Sequence, residues 1–233
     1  MDRDLRDRLY AYPDTDRPWV RMNFVASVDG SATGADHRSG DLGGEPDRAV
    51  YLHLRSVCDV VLVGAGTARD EDYGPVRLDA DQQQRRTAAG QRPVPVLALV
   101  TRRPDLPDAL RRDGVVVVTT ARAAADLDLG PVEVIGHGDD EIDWTAVLEE
   151  FGRRGWNRVL GEGGPSLFAS LTELDLVDEL CLTVAPTLTA GDGPRITHGD
   201  AAVDRPLTLA HAEVDDGVLL TRWLRRRDGS DAE

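Results

Sequence analysis

The amino-acid sequence predicts an α/β protein with a central, mostly parallel sheet flanked by helices. Short apolar runs alternate with helical patterns, which is typical of parallel strands joined by crossover helices. The run at 59–63, Asp-Val-Val-Leu-Val, is apolar without alternation and indicates a strand buried on both faces. Near the end of the chain, two apolar segments flank Asp215-Asp216-Gly217 and predict a C-terminal antiparallel hairpin.

The predicted elements follow one another along nearly the whole chain. We expect strands at 19–28, 59–63, 94–100, 114–119, 132–135, 158–160, 179–185, 207–214 and 218–225. Apolar residues with helical spacing favour helices at 48–57, 142–154 and 165–174. The segments 70–92 and 186–206 are predicted to be loops.

Length and composition favour one domain. The 233 residues, 41% of them hydrophobic, are enough to bury one core. We expect a single domain over 1–233, with an N-terminal extension at 1–16 and a polar, disordered tail at 226–233. No apolar run reaches the length of a membrane span, and the charged first residues lack the apolar core of a signal peptide. We therefore expect a cytoplasmic protein with no membrane partner.

The charged and sulfur-containing residues exclude several classes of function. The formal net charge is -15, from 27 basic and 42 acidic residues, so nucleic acid is not an expected partner. The sequence contains no lysine, which excludes Schiff-base catalysis and a Walker-type phosphate lysine. Cys58 and Cys181 stand among apolar neighbours, and the five histidines lack ligand spacing, so we expect neither a disulfide nor a metal site.

The strongest local motif joins a predicted strand to a predicted helix at 158–171. Gly161, Gly163 and Gly164 let the backbone come close to a ligand, and Pro165 suits the first turn of a helix. The N-terminus of such a helix presents unpaired N–H groups to an anion. The motif predicts a pyrophosphate site made without lysine, and an ordinary tight turn is the alternative.

Two further turns follow predicted strands. In the segment 60–69, Arg69 replaces the third glycine of a dinucleotide fingerprint, which makes the fingerprint weak, although a nucleotide contact by Thr67 stays open. Another strand ends in Asp29-Gly30, which by itself predicts only a turn that the Asp29 carboxylate caps. The sequence shows no catalytic triad, nucleophile elbow or paired carboxylates. A redox cofactor that brings its own reactivity therefore fits these turns better than hydrolase chemistry does.

Six motifs between about Trp19 and Leu224 carry a resemblance to a known family. They are Arg17-Pro-Trp-Val, Ser27-Val-Asp-Gly, Leu54-Arg55, Val63-Gly-Ala-Gly-Thr, Gly161-Glu-Gly-Gly-Pro, and Leu176-Val-Asp-Glu-Leu with Ala185-Pro186. In order and spacing they resemble the reductase domain of riboflavin biosynthesis, which forms the C-terminal half of bifunctional pyrimidine deaminase-reductases. The zinc signature of the deaminase half is absent from the sequence.

The resemblance implies a dihydrofolate-reductase-like fold, a homodimer, and NADPH-dependent reduction of a ribosylaminopyrimidine 5′-phosphate to its ribitylamino product. Thr67 and Glu71 would face the NADPH. Arg102 would hold the adenosine 2′-phosphate, with an ordinary surface charge as the alternative. The residues implied for the pyrophosphate and its surroundings are Gly163, Gly164, Pro165, Ser166 and Leu167.

On the substrate side, the resemblance implies Ser39, Arg55, Arg77 and Glu162. A surface ion pair is an equally simple explanation for Arg55, which lies near the end of a predicted helix. Asp29 is expected to organise the site without transferring a proton. Asp29 and Glu162 are the catalytic candidates, and the sequence does not identify the general acid.

Three departures from the family's pattern lie near the implied substrate pocket. Ser31 stands where Lys or Arg is common, Asp41 stands where a tryptophan or aliphatic residue is common, and 70–75 reads Asp-Glu-Asp-Tyr-Gly-Pro instead of Asp-Asp-Pro. The cofactor motifs are kept, so NADPH has more support than the substrate. The alternatives are a dihydrofolate or pterin reductase on the same scaffold, an NADPH-binding protein without catalysis, and, with least support, a Rossmann dehydrogenase.

Overall fold

The computed structural model describes residues 1–102, 106 and 108–227. These residues form two compact units. The first unit comprises 1–13, 19–54 and the chain from 161 onward, and the second comprises 14–18 and 55–160. The expectation of one domain over 1–233 stays a prediction.

Strands and helices alternate along the chain, as predicted. The strands are β1 (Trp19–Ser27), β2 (Val60–Gly64), β3 (Val96–Val100), β4 (Val115–Thr119), β5 (Glu133–Gly136), β6 (Arg158–Gly161), β7 (Glu179–Ala185), β8 (Leu207–Asp215) and β9 (Val218–Arg225). The helices are α1 (Arg3–Leu9), α2 (Gly44–Val57), α3 (Ala65–Asp70), α4 (Ala80–Ala88), α5 (Ala121–Ala125), α6 (Trp144–Arg153) and α7 (Pro165–Glu173), with a 3₁₀ turn at Asp108–Leu110. Every predicted strand and helix is present, and the largest shift is in α2, which begins at Gly44 instead of at 48.

The first unit is built around β1, β7, β9 and β8, which are neighbours in that order. β1 and β7 run parallel, whereas β7 with β9 and β9 with β8 are antiparallel. The predicted hairpin is confirmed: Asp216 and Gly217 have φ values of 50° and 78°, as a two-residue hairpin turn requires. α7 packs against β1, where the rings of Phe24 and Phe168 stack with their centroids 5.0 Å apart.

A buried ion-pair network joins the first halves of β1 and β7. The Glu179 carboxylate lies 2.6 Å from Nε of Arg21, lies 2.7 Å from Nε of Arg222, and accepts a hydrogen bond of 2.9 Å from the Trp19 indole. The side chains of Arg21 and Glu179 are 0% exposed. Burial opposes ionisation of Glu179, but Arg21 and Arg222 outweigh it and hold the pKa of that carboxyl below its usual range. The Glu179 carboxylate therefore has hydrogen-bond and ion-pair partners for its charge, and these contacts hold β1 and β7 together.

The second unit is built around β5, β4, β3, β2 and β6, in that order. β2, β3, β4 and β5 pair in parallel. Asp59 ties β2 to β6 because its backbone N–H donates to the Arg158 carbonyl at 2.8 Å and its carboxylate accepts from the Arg158 N–H at 2.9 Å. The Val60–Val63 side chains are 0% exposed, so the prediction of a strand buried on both faces is confirmed.

The prediction of a loop at 70–92 is wrong, because α4 occupies 80–88. The sequence Ala-Asp-Gln-Gln-Gln-Arg-Arg-Thr-Ala has no apolar stripe, so helical spacing gave no signal. A capping box between Asp79 and Gln82 starts the helix instead. Arg86, only 2% exposed, anchors it by donating to the Ser56 and Cys58 carbonyls. The short helices α3 and α5 were also not predicted, because a helix of five or six residues is too short to show a periodic pattern.

The ends of the described chain are tied to the first unit. The predicted N-terminal extension contains α1 and Tyr10, which is 1% exposed. In the predicted disordered tail, Arg226 donates its backbone N–H to the Pro206 carbonyl, and Arg227 pairs with Asp178 at 2.6 Å. Residues 228–233 lie outside the described residues. The segment 186–206 has no regular secondary structure, as predicted.

Three broader expectations concern membranes, metals and cysteines. Within the described ranges, no helix has the length and apolar character needed to cross a membrane. The same residues bring together no group of three His, Cys, Asp or Glu side chains that could hold a metal ion. Cys58 and Cys181 are buried and unbridged, as predicted.

Candidate active site

The turn between β6 and α7 has the backbone geometry that its glycines predict. Gly163 has φ of +105°, a left-handed value that favours glycine, and the Gly163–Gly164 peptide bond is cis. Gly164 is the N-cap of α7, with φ -84° and ψ -173°, and Pro165 opens the helix. Gly161 serves a different purpose from the predicted approach to a ligand. An added Cβ at Gly161 would lie 2.3 Å from Sδ of Met22, so β1 fills that space.

The first turn of α7 fits an anion. No side chain caps the helix and its first turn carries no acidic residue. Ser166 is exposed and Leu167 is buried, and both contribute backbone N–H groups at the positive end of the helix. Pro165 has no N–H to leave unpaired. The turn therefore offers donors to a phosphate without a lysine, which fits the pyrophosphate of a dinucleotide.

Glu162 lies in the same turn and is 8% exposed. The structure thus places this predicted substrate contact directly beside the five residues predicted to hold the cofactor pyrophosphate. The side chain takes part in an interaction within the chain. Its role as a substrate-facing carboxylate stays a prediction.

Asp29 holds a loop in place after β1. Its carboxylate accepts hydrogen bonds from the Ser27 hydroxyl at 2.6 Å and from the backbone N–H groups of Thr189 at 3.2 Å and Ala190 at 2.8 Å. The Ser27 hydroxyl and then the two backbone donors lower the pKa of Asp29 to about 2. An exposed carboxyl with that pKa carries no proton to give near neutral pH. The geometry supports the expectation that Asp29 organises the site.

Ser31 explains one departure from the family's pattern. It is 7% exposed, and its hydroxyl donates to the Thr33 carbonyl at 2.8 Å. The loop after β7 covers it: Ala32 donates to the Pro194 carbonyl at 2.7 Å, and a Cβ added at Gly193 would lie 2.2 Å from the Ser31 hydroxyl oxygen. A lysine or arginine at this position would displace that loop.

The remaining predicted contacts lie mostly in the second unit. Thr67 is half-buried in α3, and its carbonyl accepts from the backbone N–H of Glu71 at 2.9 Å. The Arg55 guanidinium lies over the ring of Tyr73, with its Cζ 5.2 Å from the ring centroid. Arg77 and Arg102 are exposed. Ser39, in the first unit, is half-buried in a turn, where its carbonyl accepts from the N–H of Leu42 at 3.1 Å. The ligand roles of these residues stay predictions.

Asp47 was not predicted, and its carboxyl group is largely buried with one oxygen unpartnered. It lies in the first turn of α2, where burial raises its pKa and a hydrogen bond with Thr183 on β7 lowers it by less. Its Oδ1 is buried and has no hydrogen-bond partner. An aspartate near a helix N-terminus is ordinarily explained as a favourable charge, so the sequence gave no reason to single it out.

Comparison with known proteins identifies the class to which this fold and site belong. The family model for the RibD C-terminal domain matches residues 18–221. The chain therefore belongs to the RibD C-terminal domain family, and the predicted family is confirmed.

Particular relatives support that membership along most of the chain. The 2,5-diamino-6-ribosylamino-4(3H)-pyrimidinone 5′-phosphate reductase of Archaeoglobus fulgidus is 27% identical over 218 residues, which cover 90% of this chain and 100% of the relative. A pyrimidine reductase-like protein from Corynebacterium diphtheriae superposes with a TM-score of 0.80 at 27% identity, covering 96% of this chain and 99% of the other. Dihydrofolate reductase from Enterococcus faecalis superposes with a TM-score of 0.50 at 13% identity, covering 90% and 97%.

These comparisons confirm the predicted dihydrofolate-reductase-like α/β fold. They also confirm the prediction of a reductase of the riboflavin-biosynthesis type, since some relatives are named ribosylaminopyrimidinone phosphate reductases and others riboflavin biosynthesis proteins. A reductase of this family implies a nicotinamide cofactor as the source of the hydride.

Proposed function

We propose that this protein uses NADPH to reduce the ribosylamino group of a 6-ribosylaminopyrimidine 5′-phosphate to a ribitylamino group. The observation that carries the proposal is the uncapped N-terminus of α7 in a member of a reductase family. The relative from Archaeoglobus fulgidus is named for a 2,5-diamino-pyrimidinone substrate. The corresponding uracil is the substrate that we expected from the sequence, and both belong in the assay.

The N-terminus of α7 binds the pyrophosphate of the cofactor. Ser166 and Leu167 present backbone N–H groups to the pyrophosphate, and Gly164 leaves room beside them. As the family resemblance implies, Thr67 and Glu71 face the NADPH, and Arg102 takes the 2′-phosphate that distinguishes NADPH from NADH. When bound, NADPH supplies the hydride that reduces the imine carbon of the opened sugar.

The substrate is held mainly through its phosphate and its ring. Arg55 and Arg77 supply positive charge for the phosphate, with Arg55 pre-oriented by the ring of Tyr73. Ser39 and Glu162 supply polar contacts to the ring or the sugar. Asp29 fixes the loop that carries Thr189 and Ala190, which keeps the edge of the site in one conformation.

Purified protein tests the proposal through the oxidation of NADPH, followed by its absorbance, with the diamino compound, the uracil compound and dihydrofolate offered separately. We expect turnover with a ribosylaminopyrimidine phosphate and a much lower kcat/KM with NADH than with NADPH. Turnover with dihydrofolate alone would favour a pterin-type reductase. NADPH binding without turnover on any of the three would favour a binding protein and refute the proposed reaction.

The site of action and the assembly state complete the proposal. We propose that the enzyme acts in the cytoplasm and as a homodimer. Analytical ultracentrifugation tests the second point, because a sedimenting mass equal to one chain at assay concentrations would exclude the dimer.

A further inference from the structure

Asp47 has a largely buried carboxyl group that no charged side chain of the described residues neutralises. Asp47, in the first turn of α2, faces Thr183 of β7, and its Oδ1 is buried with no partner. The backbone before it is pressed against the side chain, because a Cβ added at Gly43 would lie 2.3 Å from Cβ and 2.7 Å from Cγ of Asp47. Among the described residues, no charged group contributes to the shift of its pKa.

This arrangement contrasts with that of Glu179, another buried carboxylate of the same unit. Glu179 meets two guanidinium groups and an indole N–H. Asp47 meets one hydroxyl, and its second oxygen is left without a donor. A buried acceptor without a partner costs about 1–3 kcal/mol. Buried and poorly compensated titratable groups of this kind collect at functional sites, where a ligand or a proton satisfies them.

Asp47 also lies at the edge of the unit where the predicted site residues lie. Thr183 pairs with Val25 of β1, two residues before Ser27, where β1 ends. The turn that holds Asp29 begins at that end, and ligands of α/β sheets bind at the carboxyl ends of the strands. The turn at Ser39 leads directly into α2. The buried carboxyl is therefore on the substrate side of the first unit.

We propose that Asp47 is the general acid of the reduction, which rests on the proposed function. As the imine carbon receives the hydride, the electron pair of the C=N bond moves to the nitrogen, which takes the proton from the Asp47 carboxyl group. The carboxylate that remains accepts a hydrogen bond from the Thr183 hydroxyl. Water then returns the proton to Asp47, so the net change is one hydride and one proton added to the substrate.

The direction of the pKa shift agrees with this role. A general acid must hold its proton at the working pH, and burial raises the pKa of Asp47. The wild-type kcat is then constant at low pH and decreases as the pH rises through the raised pKa. The Thr183 hydroxyl lowers that pKa, so Thr183→Val moves the decrease in kcat to higher pH. A merely structural contact would not move it.

The kinetic test compares Asp47→Asn with Glu45→Gln, an exposed carboxylate in the same helical turn. Because general acid catalysis contributes about 10²–10⁴-fold, we expect Asp47→Asn to lower kcat at least about 100-fold and to abolish the alkaline decrease. NADPH affinity stays at the wild-type value, and Glu45→Gln keeps the wild-type kcat and pH profile. An active wild type with an unchanged kcat and pH profile in Asp47→Asn would overturn this role alone. An inactive wild type would overturn the proposed function together with it.

Unfolding supplies a second readout that does not depend on turnover. A folded-state pKa above the unfolded value means that ionisation of Asp47 costs stability as the pH rises through it. We therefore expect Asp47→Asn to be more stable than the wild type at alkaline pH, with the difference vanishing at acid pH. A variant that is less stable at every pH would indicate a structural carboxyl and contradict the proposal.

Discussion

Gly164→Val tests the cofactor site at the point where its geometry is best defined. Gly164 has φ -84° and ψ -173°, which any residue adopts, so the backbone does not need a glycine here. We expect the valine side chain to obstruct the approach of the pyrophosphate to the N–H groups of Ser166 and Leu167. A hydrogen bond to a charged group contributes about 1.5–3 kcal/mol, so losing two costs about 3–6 kcal/mol. This corresponds to an affinity for NADPH that is lower by about 10²–10⁴-fold.

Isothermal titration of the variant with NADPH measures this effect. Glycine is a better N-cap than valine, so the free energy of unfolding should fall by about 0.5–2 kcal/mol while the protein stays folded. Gly164→Ala serves as the graded control, with a smaller loss of affinity because its side chain is one methyl group. If Gly164→Val folds and binds NADPH with wild-type affinity, the pyrophosphate does not bind at α7, and the reasoning is refuted.

Three further predictions follow from other contacts. Arg55→Ala raises KM for the phosphorylated substrate about 10–100-fold in steady-state assays, while the affinity for NADPH is unchanged. An unchanged KM would show that Arg55 does not bind the substrate and only contacts Tyr73. Glu179→Gln leaves the buried charge of Arg21 without its carboxylate partner and lowers the free energy of unfolding, measured in urea, by about 3–5 kcal/mol. A loss under about 1 kcal/mol would contradict a stabilising role for this ion-pair network. Asp29→Ala has a lower Tm than the wild type near neutral pH. The difference in Tm disappears as the pH falls from 3.8, the ordinary pKa of an aspartate, through about 2, the pKa of Asp29 in the folded protein. A difference in Tm that does not depend on pH would contradict the role of the carboxylate.

The fold was predictable where apolar spacing and turn chemistry agree. The apolar runs of β2, β3 and β4 have one simple explanation, which is burial on both faces. The turn at Asp216-Gly217 requires left-handed φ values, and its sequence indicates this directly. Helix α4 was missed because a polar helix held by its cap and by one buried arginine leaves no periodic pattern in the sequence.

The sequence predicted the part of the candidate site that is formed by backbone groups. Gly163 and Gly164 pointed to the cofactor site because a glycine in the sequence directly indicates a flexible backbone with no side chain beside it. Asp47 was not predictable, because its character depends on burial against Thr183 and Gly43, which are distant in sequence or carry no polar group. Gly161 was misinterpreted for the same reason, since only the fold shows that Met22 fills the space beside it.

The transfer of a labelled hydride tests the central claim most directly. The protein is incubated with NADPH that carries deuterium at both hydrogen positions of the nicotinamide C4 and with the 6-ribosylaminopyrimidine 5′-phosphate, and the product is analysed by mass spectrometry. The account predicts a ribitylamino product with deuterium on the carbon that was the imine carbon. A ribitylamino product without deuterium, or unreacted substrate beside a protein that binds NADPH, would contradict it.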